Sequence, residues 1–272
     1  MNPDRILATI DRFATAQIIG DLAGGPTSDS YLLQCDTERF VLRIDNHVAA
    51  VLGLDRTAEA GILAYVSRNR LGPEPEFAAP ERGILITRYI EGRVWSETDL
   101  HDPQRIRRLV TVICRLHALE PVGRPLNLHD KIANYARISG TAEACELARE
   151  TQRQLRELET GFTTRCLCHN DLICANIIEV SGGLADQGPA LIDWEYAAVG
   201  DPFFDLAVIA EHHQFDREEA RSLLRAYSGG IREADCRRLD AYRAVYANLG
   251  RLWITAVEHA GRQPLHRGMP GQ

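Results

Sequence analysis

His169-Asn170-Asp171-Leu172-Ile173-Cys174-Ala175-Asn176 is the stretch that decides the fold, together with Ile192-Asp193-Trp194-Glu195 further along the chain. Two short β-prone runs, Asn176 to Val180 and Ala190 to Asp193, are separated by glycine-containing turns, and this pattern predicts a hairpin. A carboxylate in a loop, an amide five residues later and a second carboxylate at the end of the hairpin can converge on one point. The sequence therefore predicts a polar site built around this hairpin.

The chemistry that suits these side chains is phosphoryl transfer, which needs a positioned nucleophile and cations that neutralise the transferring group. Asp171 would accept the proton of a substrate hydroxyl and orient its oxygen. Asn176 and Asp193 would supply the hard oxygen ligands that Mg²⁺ prefers. We therefore expect ATP and Mg²⁺ as cofactors.

The first part of the chain contains residues that could hold a nucleotide. Backbone N–H groups of a glycine-rich turn could approach phosphates closely. The candidate residues of this turn are Gly24, Gly25, Thr27 and Ser28. Arg43 lies on a predicted strand after the turn, where its guanidinium could contact the α- and β-phosphates. Glu59, on the helix that follows, could hold Arg43 through a bidentate pair.

Hydrophobic periodicity divides the chain into a β-rich part and a helical part. Four early segments carry strand or helix patterns: Ser30 to Gln34, Phe40 to Ile44, Arg56 to Asn69 and Ile84 to Tyr89. Apolar residues at steps of three and four dominate the later part, for example at 106–116 and 242–253. We predict an α+β, bilobal fold, with a small β-rich lobe over residues 1–90 and a larger, mainly helical lobe over residues 91–272.

Composition excludes several classes of function. The formal net charge of −7 argues against a nucleic-acid partner, because such proteins concentrate positive charge. No apolar run approaches the roughly 20 residues of a membrane-spanning helix, and the amino terminus lacks the pattern of an export signal. We expect a cytoplasmic protein without a membrane partner. Lys131 is the only lysine, which excludes a P-loop.

In motif and order, the chain resembles the aminoglycoside phosphotransferase and choline kinase superfamily, whose fold is similar to that of protein kinases. Four segments carry the resemblance: the turn from Leu22 to Thr27, Phe40 to Arg43, His169 to Asn176, and Ile192 to Ala207. Protein kinases usually have His-Arg-Asp where this chain has His169-Asn170-Asp171. After Asp193, where protein kinases carry an activation loop that ends in Ala-Pro-Glu, this chain has no such motif, so a protein substrate is disfavoured.

The resemblance implies a role for each matching residue. Asp171 would be the catalytic base, with Asn176 and Asp193 as Mg²⁺ ligands. Two further residues, His169 and Asp205, would brace the catalytic loop. Backbone groups at the start of the connection between the lobes, those of Arg88 and Ile90, would hold the adenine.

Within the superfamily, the form Asp193-Trp194-Glu195-Tyr196 is similar to choline, ethanolamine and thiamine kinases. The implied acceptor is a small cationic alcohol, with the positive nitrogen facing Glu195 and aromatic faces adding cation–π attraction. The candidate aromatic residues are Trp194, Tyr246 and Trp253. Choline kinases tend to carry a pair of tryptophans on the last helix, whereas this chain has Gly250 at the first position.

Two alternatives stay open from the sequence. An aminoglycoside, amino sugar or other metabolite would favour an acidic acceptor surface, which a helix from Glu211 to Glu219 could supply. A catalytically silent nucleotide-binding or regulatory protein is disfavoured because Asp171, Asn176 and Asp193 are all present. The sequence leaves both a monomer and a homodimer open.

Overall fold

The amino-terminal part of the protein is an antiparallel sheet. The computed structural model describes residues 2–159, 165–181 and 188–262. A short helix, α1 (Pro3–Leu7), precedes five strands in the order β1-β2-β3-β5-β4. The strands are β1 (Gln17–Leu22), β2 (Ser28–Cys35), β3 (Glu38–Asp45), β4 (Pro75–Ala79) and β5 (Ile84–Arg88).

Two helices, α2 (His47–Leu52) and α3 (Arg56–Arg68), lie between β3 and β4. The carboxylate of Asp55 accepts the N–H of Ala58 at 3.0 Å and so caps the start of α3. Such a cap satisfies one of the N–H groups that have no partner within the helix. Because α3 begins there, Glu59 falls in its first turn, close to the sheet.

The rest of the chain is mainly helical. Its helices are α4 (Glu97–Leu100), α5 (Pro103–His117), α6 (Leu128–Ser139), α7 (Ala142–Glu159), α8 (Pro202–His212), α9 (Arg217–Ser228) and α10 (Glu233–Arg262). A three-stranded sheet is formed by β6 (Gly92–Val94), β8 (Ile177–Val180) and β9 (Ala190–Leu191). A second small sheet pairs β7 (Cys166–Cys168) with β10 (Ala198–Gly200). No helix in the described ranges is both long and apolar enough to cross a bilayer.

The protein has two hydrophobic cores that do not follow the boundary between sheet and helices. One lies between the sheet and α1 and contains Phe13, Phe40 and Ile86. The other fills the helical part and also takes up the apolar faces of α2 and α3, including Val48 and Ile62. Burial of these faces ties α2 and α3 to the helical part by the hydrophobic effect.

The predicted α+β, bilobal architecture is confirmed by the sheet, the helical part and the two cores. The early hairpin is β2 and β3, joined by a turn at Asp36 and Thr37. The second predicted hairpin is β8 and β9, in which Ile177 pairs with Leu191. Its strands are shorter than expected, so Asn176 and Asp193 lie just outside them. The glycines at 182 and 183 lie outside the described residues.

The predicted helix from Glu211 to Glu219 is wrong, because two helices meet there. Helix α8 ends at His212 and α9 begins at Arg217. The carboxylate of Asp216 accepts the N–H groups of Glu218 and Glu219, both at 2.8 Å. An N-cap of this kind starts a new helix. The acidic residues therefore do not form one continuous helical surface.

Two glycines should respond in opposite directions to alanine substitution. Gly61 is exposed inside α3, and a Cβ there would meet nothing within 4 Å. We expect Gly61→Ala to raise the free energy of unfolding by about 0.5–1 kcal/mol. A Cβ on Gly72 would lie 2.7 Å from Trp194 Nε1. We expect Gly72→Ala to lower that free energy by about 1–3 kcal/mol. Urea unfolding of both variants tests the pair, and equal effects would contradict it.

Candidate active site

A cavity of about 850 Å³ lies between the sheet and the helical part. The side chains of Val41 and Thr87 line its wall on the sheet side. Asp171 and Asn176 line it from the opposite side, and Tyr246 of α10 lines its far end. The residues predicted for catalysis and metal binding, Asp171, Asn176 and Asp193, therefore share one cavity.

The loop after β7 places Asp171 in this cavity. Asn176 Nδ2 donates to Asp171 Oδ2 at 2.7 Å and to the Asp171 carbonyl oxygen at 3.0 Å. Asn176 ends a 3-10 turn that begins at Cys174 and leads directly into β8. The amide of Asn176 therefore fixes the orientation of the Asp171 carboxylate and leaves its own oxygen available.

Asp205 braces this loop from below, as predicted by the resemblance. The side chain is fully buried on α8. It accepts the backbone N–H of His169 at 3.0 Å and that of Asn170 at 2.6 Å. His117 Nε2 lies 2.9 Å from the same carboxylate. These contacts hold Asn170 at a φ of 65°, a conformation that asparagine tolerates better than most residues.

His169 connects the loop to the segment after β9. Its Nε2 lies 3.0 Å from the carbonyl oxygen of Ile192, the residue before Asp193. Burial lowers the pKa of His169 to about 4, so the ring is neutral at physiological pH and donates from Nε2. Loop and hairpin are thus held at a fixed separation.

Asp193 has the features of a metal ligand. Its backbone is left-handed, with φ 61°, which turns the side chain into the cavity. Its Oδ1 is buried without a hydrogen-bond donor among the described residues. The nearest cation is Arg43 Nη1, 3.6 Å away. Such an orphaned oxygen, in the same cavity as the amide of Asn176, fits the hard oxygen ligands of Mg²⁺.

The charges in the cavity also fit a divalent cation. Burial and the neighbouring Glu195 raise the pKa of Asp171 to about 7. Burial and Glu195 also raise the pKa of Asp193, while Arg43 opposes the shift. Carboxylates that raise one another's pKa repel when ionised, and a bound cation relieves that repulsion.

The phosphate side of the cavity contains a chain of alternating charges. Arg43 Nη1 and Nη2 donate to the two carboxylate oxygens of Glu59, each at 2.6 Å. The bidentate pair predicted from the sequence is therefore present. Arg56 Nη1 lies 2.9 Å from Glu59 and 2.8 Å from Glu195, and Arg56 Nε lies 2.7 Å from Asp45. The chain connects β3 and α3 to the segment after β9.

The glycine-rich turn between β1 and β2 is closed tightly. A Cβ on Gly24 would lie 2.8 Å from the carbonyl oxygen of Ser28, so only glycine fits there. Asn46 anchors the turn, because its N–H donates to the Thr27 carbonyl oxygen at 2.9 Å. Gly25 also lines the cavity, and a Cβ there would meet nothing within 4 Å. The turn can therefore present N–H groups to a phosphate.

Arg88 and Ile90 line the cavity at the end of β5, where adenine is expected. The N–H of Arg88 donates to the carbonyl oxygen of Glu74 at 2.8 Å. This N–H is therefore used within the sheet and does not face a ligand.

Aromatic residues form the other end of the cavity, which we call the acceptor end. Trp253 Nε1 donates to the Tyr196 hydroxyl at 3.0 Å, and the two rings lie on α10 and on the segment after β9. Tyr135 of α6 also hydrogen-bonds to Tyr196. The Tyr246 hydroxyl lies 3.1 Å from His212 Nδ1. Tyr246 and Trp253 therefore line the same cavity as Asp171.

Two predicted substrate residues are part of the cavity lining, but their side chains are bonded within the protein. Trp194 is only 1% exposed, and its indole N–H donates to the Leu191 carbonyl oxygen at 3.2 Å. The prediction that its ring faces a substrate is wrong, because the ring is part of the core. Glu195 pairs with Arg56 and accepts from Thr27 Oγ1 at 3.4 Å. The expectation that it faces a cationic nitrogen stays a prediction, for a carboxylate that lines the cavity and is already paired with Arg56.

Sequence reasoning missed four residues of the cavity and its supports: Arg56, Lys131, Tyr135 and Tyr196. Tyr196 ends the Asp193-Trp194-Glu195-Tyr196 motif, so the motif itself could have identified it. Lys131 was visible only as the single lysine. Arg56 and Tyr135 carry no local signal, because they reach the site from helices distant in the sequence.

A comparison with family models matches residues 19–242 to the phosphotransferase enzyme family. The chain belongs to this family. Among similar proteins, Protein LicA of Haemophilus influenzae is 31% identical over 254 residues, covering 88% of this chain and 73% of LicA. A thiamine kinase of Salmonella paratyphi B is 30% identical over 190 residues, covering 67% of this chain and 59% of that protein.

The structure of this phosphotransferase family member is similar to that of choline kinase LicA from Streptococcus pneumoniae. The TM-score is 0.81 at 18% identity, over 96% of this chain and 93% of that one. The likeness confirms the predicted kinase-like fold. Family membership confirms the predicted phosphotransferase class.

Substitution of Asp205 should disturb the geometry of the catalytic loop without weakening nucleotide binding. We expect Asp205→Asn to lower kcat about 10- to 100-fold, because its NH₂ group would face a backbone N–H and shift Asp171. The KM for ATP should change little. Asp235→Asn is the matched control, since this buried carboxylate pairs with Arg232. Steady-state kinetics test both variants, and normal kcat in Asp205→Asn would contradict the bracing role.

Proposed function

We propose that the protein transfers the γ-phosphoryl group of ATP, with Mg²⁺, to a hydroxyl of a small cationic alcohol of the choline, ethanolamine or thiamine type. The observation that carries the proposal is the convergence of Asp171, Asn176 and Asp193 in one cavity. The aromatic acceptor end lies in the same cavity.

In the proposed reaction, Asp171 is the catalytic base. Its Oδ1 is free of the Asn176 amide, which holds Oδ2 at 2.7 Å. Asp171 accepts the hydroxyl proton as the oxygen attacks the γ-phosphorus, and the bond to the β-phosphate oxygen breaks to release ADP. Near neutral pH, a base with a raised pKa transfers protons efficiently. Mg²⁺, held by Asn176 and Asp193, would neutralise charge on the phosphates.

The sheet side would hold the nucleotide. Gly24, Gly25, Thr27 and Ser28 would contact the phosphates through backbone N–H groups. Arg43, fixed by Glu59, would place its guanidinium on them, because arginine suits phosphate oxygens bidentately. We place the boundary between a nucleotide lobe, residues 1–90, and an acceptor lobe, residues 91–272, at the end of β5.

Two observations support a cationic acceptor. Tyr196, Tyr246 and Trp253 offer aromatic faces, which attract cations. The relatives include a thiamine kinase, and a choline kinase shares the fold. An aminoglycoside acceptor loses its main support, because the acidic helix proposed for it is not formed and Glu211 lies 2.9 Å from Arg243.

ADP release from ATP and Mg²⁺ tests the function. The acceptor panel is choline, ethanolamine, thiamine, amino sugars and aminoglycosides. We expect turnover with a cationic alcohol and a loss of at least about 100-fold in Asp171→Asn, with nucleotide binding retained. Turnover confined to an aminoglycoside would replace the proposed acceptor. If the protein binds ATP but turns over no compound of the panel, the proposed class of acceptor is contradicted.

The effect of Mg²⁺ on ATP affinity tests the assignment of Asp193 as a metal ligand. We expect Asp193→Ala to abolish the part of ATP affinity that depends on Mg²⁺, because its buried oxygen is the proposed ligand. Calorimetric titration with ATP, with and without Mg²⁺, measures this difference. Asp240→Ala, an exposed carboxylate on α10, is the control. An undiminished Mg²⁺ effect in Asp193→Ala would remove this residue from the site.

A further inference from the structure

Lys131, the single lysine of the chain, lies at the acceptor end of the cavity. It belongs to the first turn of α6, one turn before Tyr135. Its Nζ lies 5.0 Å from the centroid of the Tyr196 ring, within the range of a cation–π contact. The ammonium therefore lies against the ring that the cationic group of an acceptor would use.

The position of Tyr196 under Lys131 is fixed. Its hydroxyl is held by Trp253 Nε1 at 3.0 Å and by Tyr135. The ring cannot turn away to offer a second site without breaking these bonds. One face of Tyr196 therefore serves either Lys131 or a ligand.

The charge of Lys131 is poorly compensated. In the part of the chain that the structure describes, Nζ has no hydrogen-bond acceptor and no carboxylate at ion-pair distance. Glu195 attracts it from further away, but that carboxylate is paired with Arg56 at 2.8 Å. Burial lowers the pKa of Lys131, because the charged ammonium loses hydration in the cavity.

We propose that Lys131 is a specificity-determining residue, whose ammonium competes with the cationic group of an acceptor for the face of Tyr196. The inference rests on the proposed function, since it concerns the acceptor of that reaction. A positively charged alcohol must displace Lys131 or bind beside a like charge. A neutral alcohol of the same shape meets no such repulsion.

The competition makes the pocket less selective for cations than its aromatic walls alone would be. A cation–π contact in a desolvated site is worth about tenfold or more in affinity. Lys131 already satisfies that attraction before the acceptor binds. The affinity that a cationic acceptor gains from Tyr196 is therefore only the difference between its own cation–π energy and that of Lys131. This difference is small.

Binding of choline and of its neutral isostere, 3,3-dimethylbutan-1-ol, tests the inference. Isothermal titration of each compound in the presence of ADP and Mg²⁺ compares the wild type with Lys131→Met and Lys131→Arg. We expect Lys131→Met to bind choline about tenfold more tightly. The isostere should bind all three proteins equally. Lys131→Arg keeps the charge and should bind choline as the wild type does.

Several results would overturn the inference. Choline affinity that is unchanged or weaker in Lys131→Met would mean that Lys131 does not compete. Equal gains for choline and the isostere would show that the substitution only enlarges the pocket. No choline binding by any of the three proteins would also overturn it. A charge-dependent gain in affinity without turnover of any alcohol would instead overturn the proposed function and leave the competition standing.

Discussion

The contact between Arg56 and Glu195 is the constraint on which the cavity depends. Arg56 belongs to α3 and Glu195 follows β9, so the ion pair of 2.8 Å joins the two sides of the cavity. Arg56 is also paired with Glu59, which in turn holds Arg43. Removing one partner of a buried pair leaves an uncompensated charge, which typically costs about 3–5 kcal/mol. The position of Arg43 on the phosphate side is thus coupled to the position of the catalytic segment.

Apolar packing supports the same coupling. The apolar faces of α2 and α3 belong to the core of the helical part, whereas the sheet has its own core with α1. The sheet is therefore attached to the helical part through helices that are inserted between β3 and β4. This arrangement lets α3 carry Arg56 and Glu59 to the interface while Ile62 anchors the helix below. The ion pairs of Arg56 and Glu59 and the burial of Ile62 therefore both fix the position of α3.

The parts predicted from the sequence are those with local or motif signals. Asp171, Asn176 and Asp193 were found because a loop and a hairpin bring them together over a short stretch, and Arg43 and Glu59 because adjacent elements carry them. The Trp194 ring was assigned wrongly, and the ion pair of Glu195 was not foreseen. The chain turns here, with the Ala197 N–H donating to the Trp194 carbonyl oxygen at 3.0 Å, so Trp194 enters the core while Glu195 meets α3. Its partner Arg56 is 139 residues away, and no local pattern announces it.

The two ends of the cavity treat positive charge differently. At the phosphate end, Arg43 and Arg56 are held by carboxylates, so their charges are compensated before a nucleotide binds. At the acceptor end, Lys131 has an aromatic ring as its contact and no close carboxylate among the described residues. A cation that is compensated by a ring is more easily displaced than one held by a bidentate carboxylate, because the ring offers no hydrogen bonds. The end with Arg43 is therefore a fixed frame, whereas we propose that the end with Lys131 exchanges its own cation for that of an acceptor.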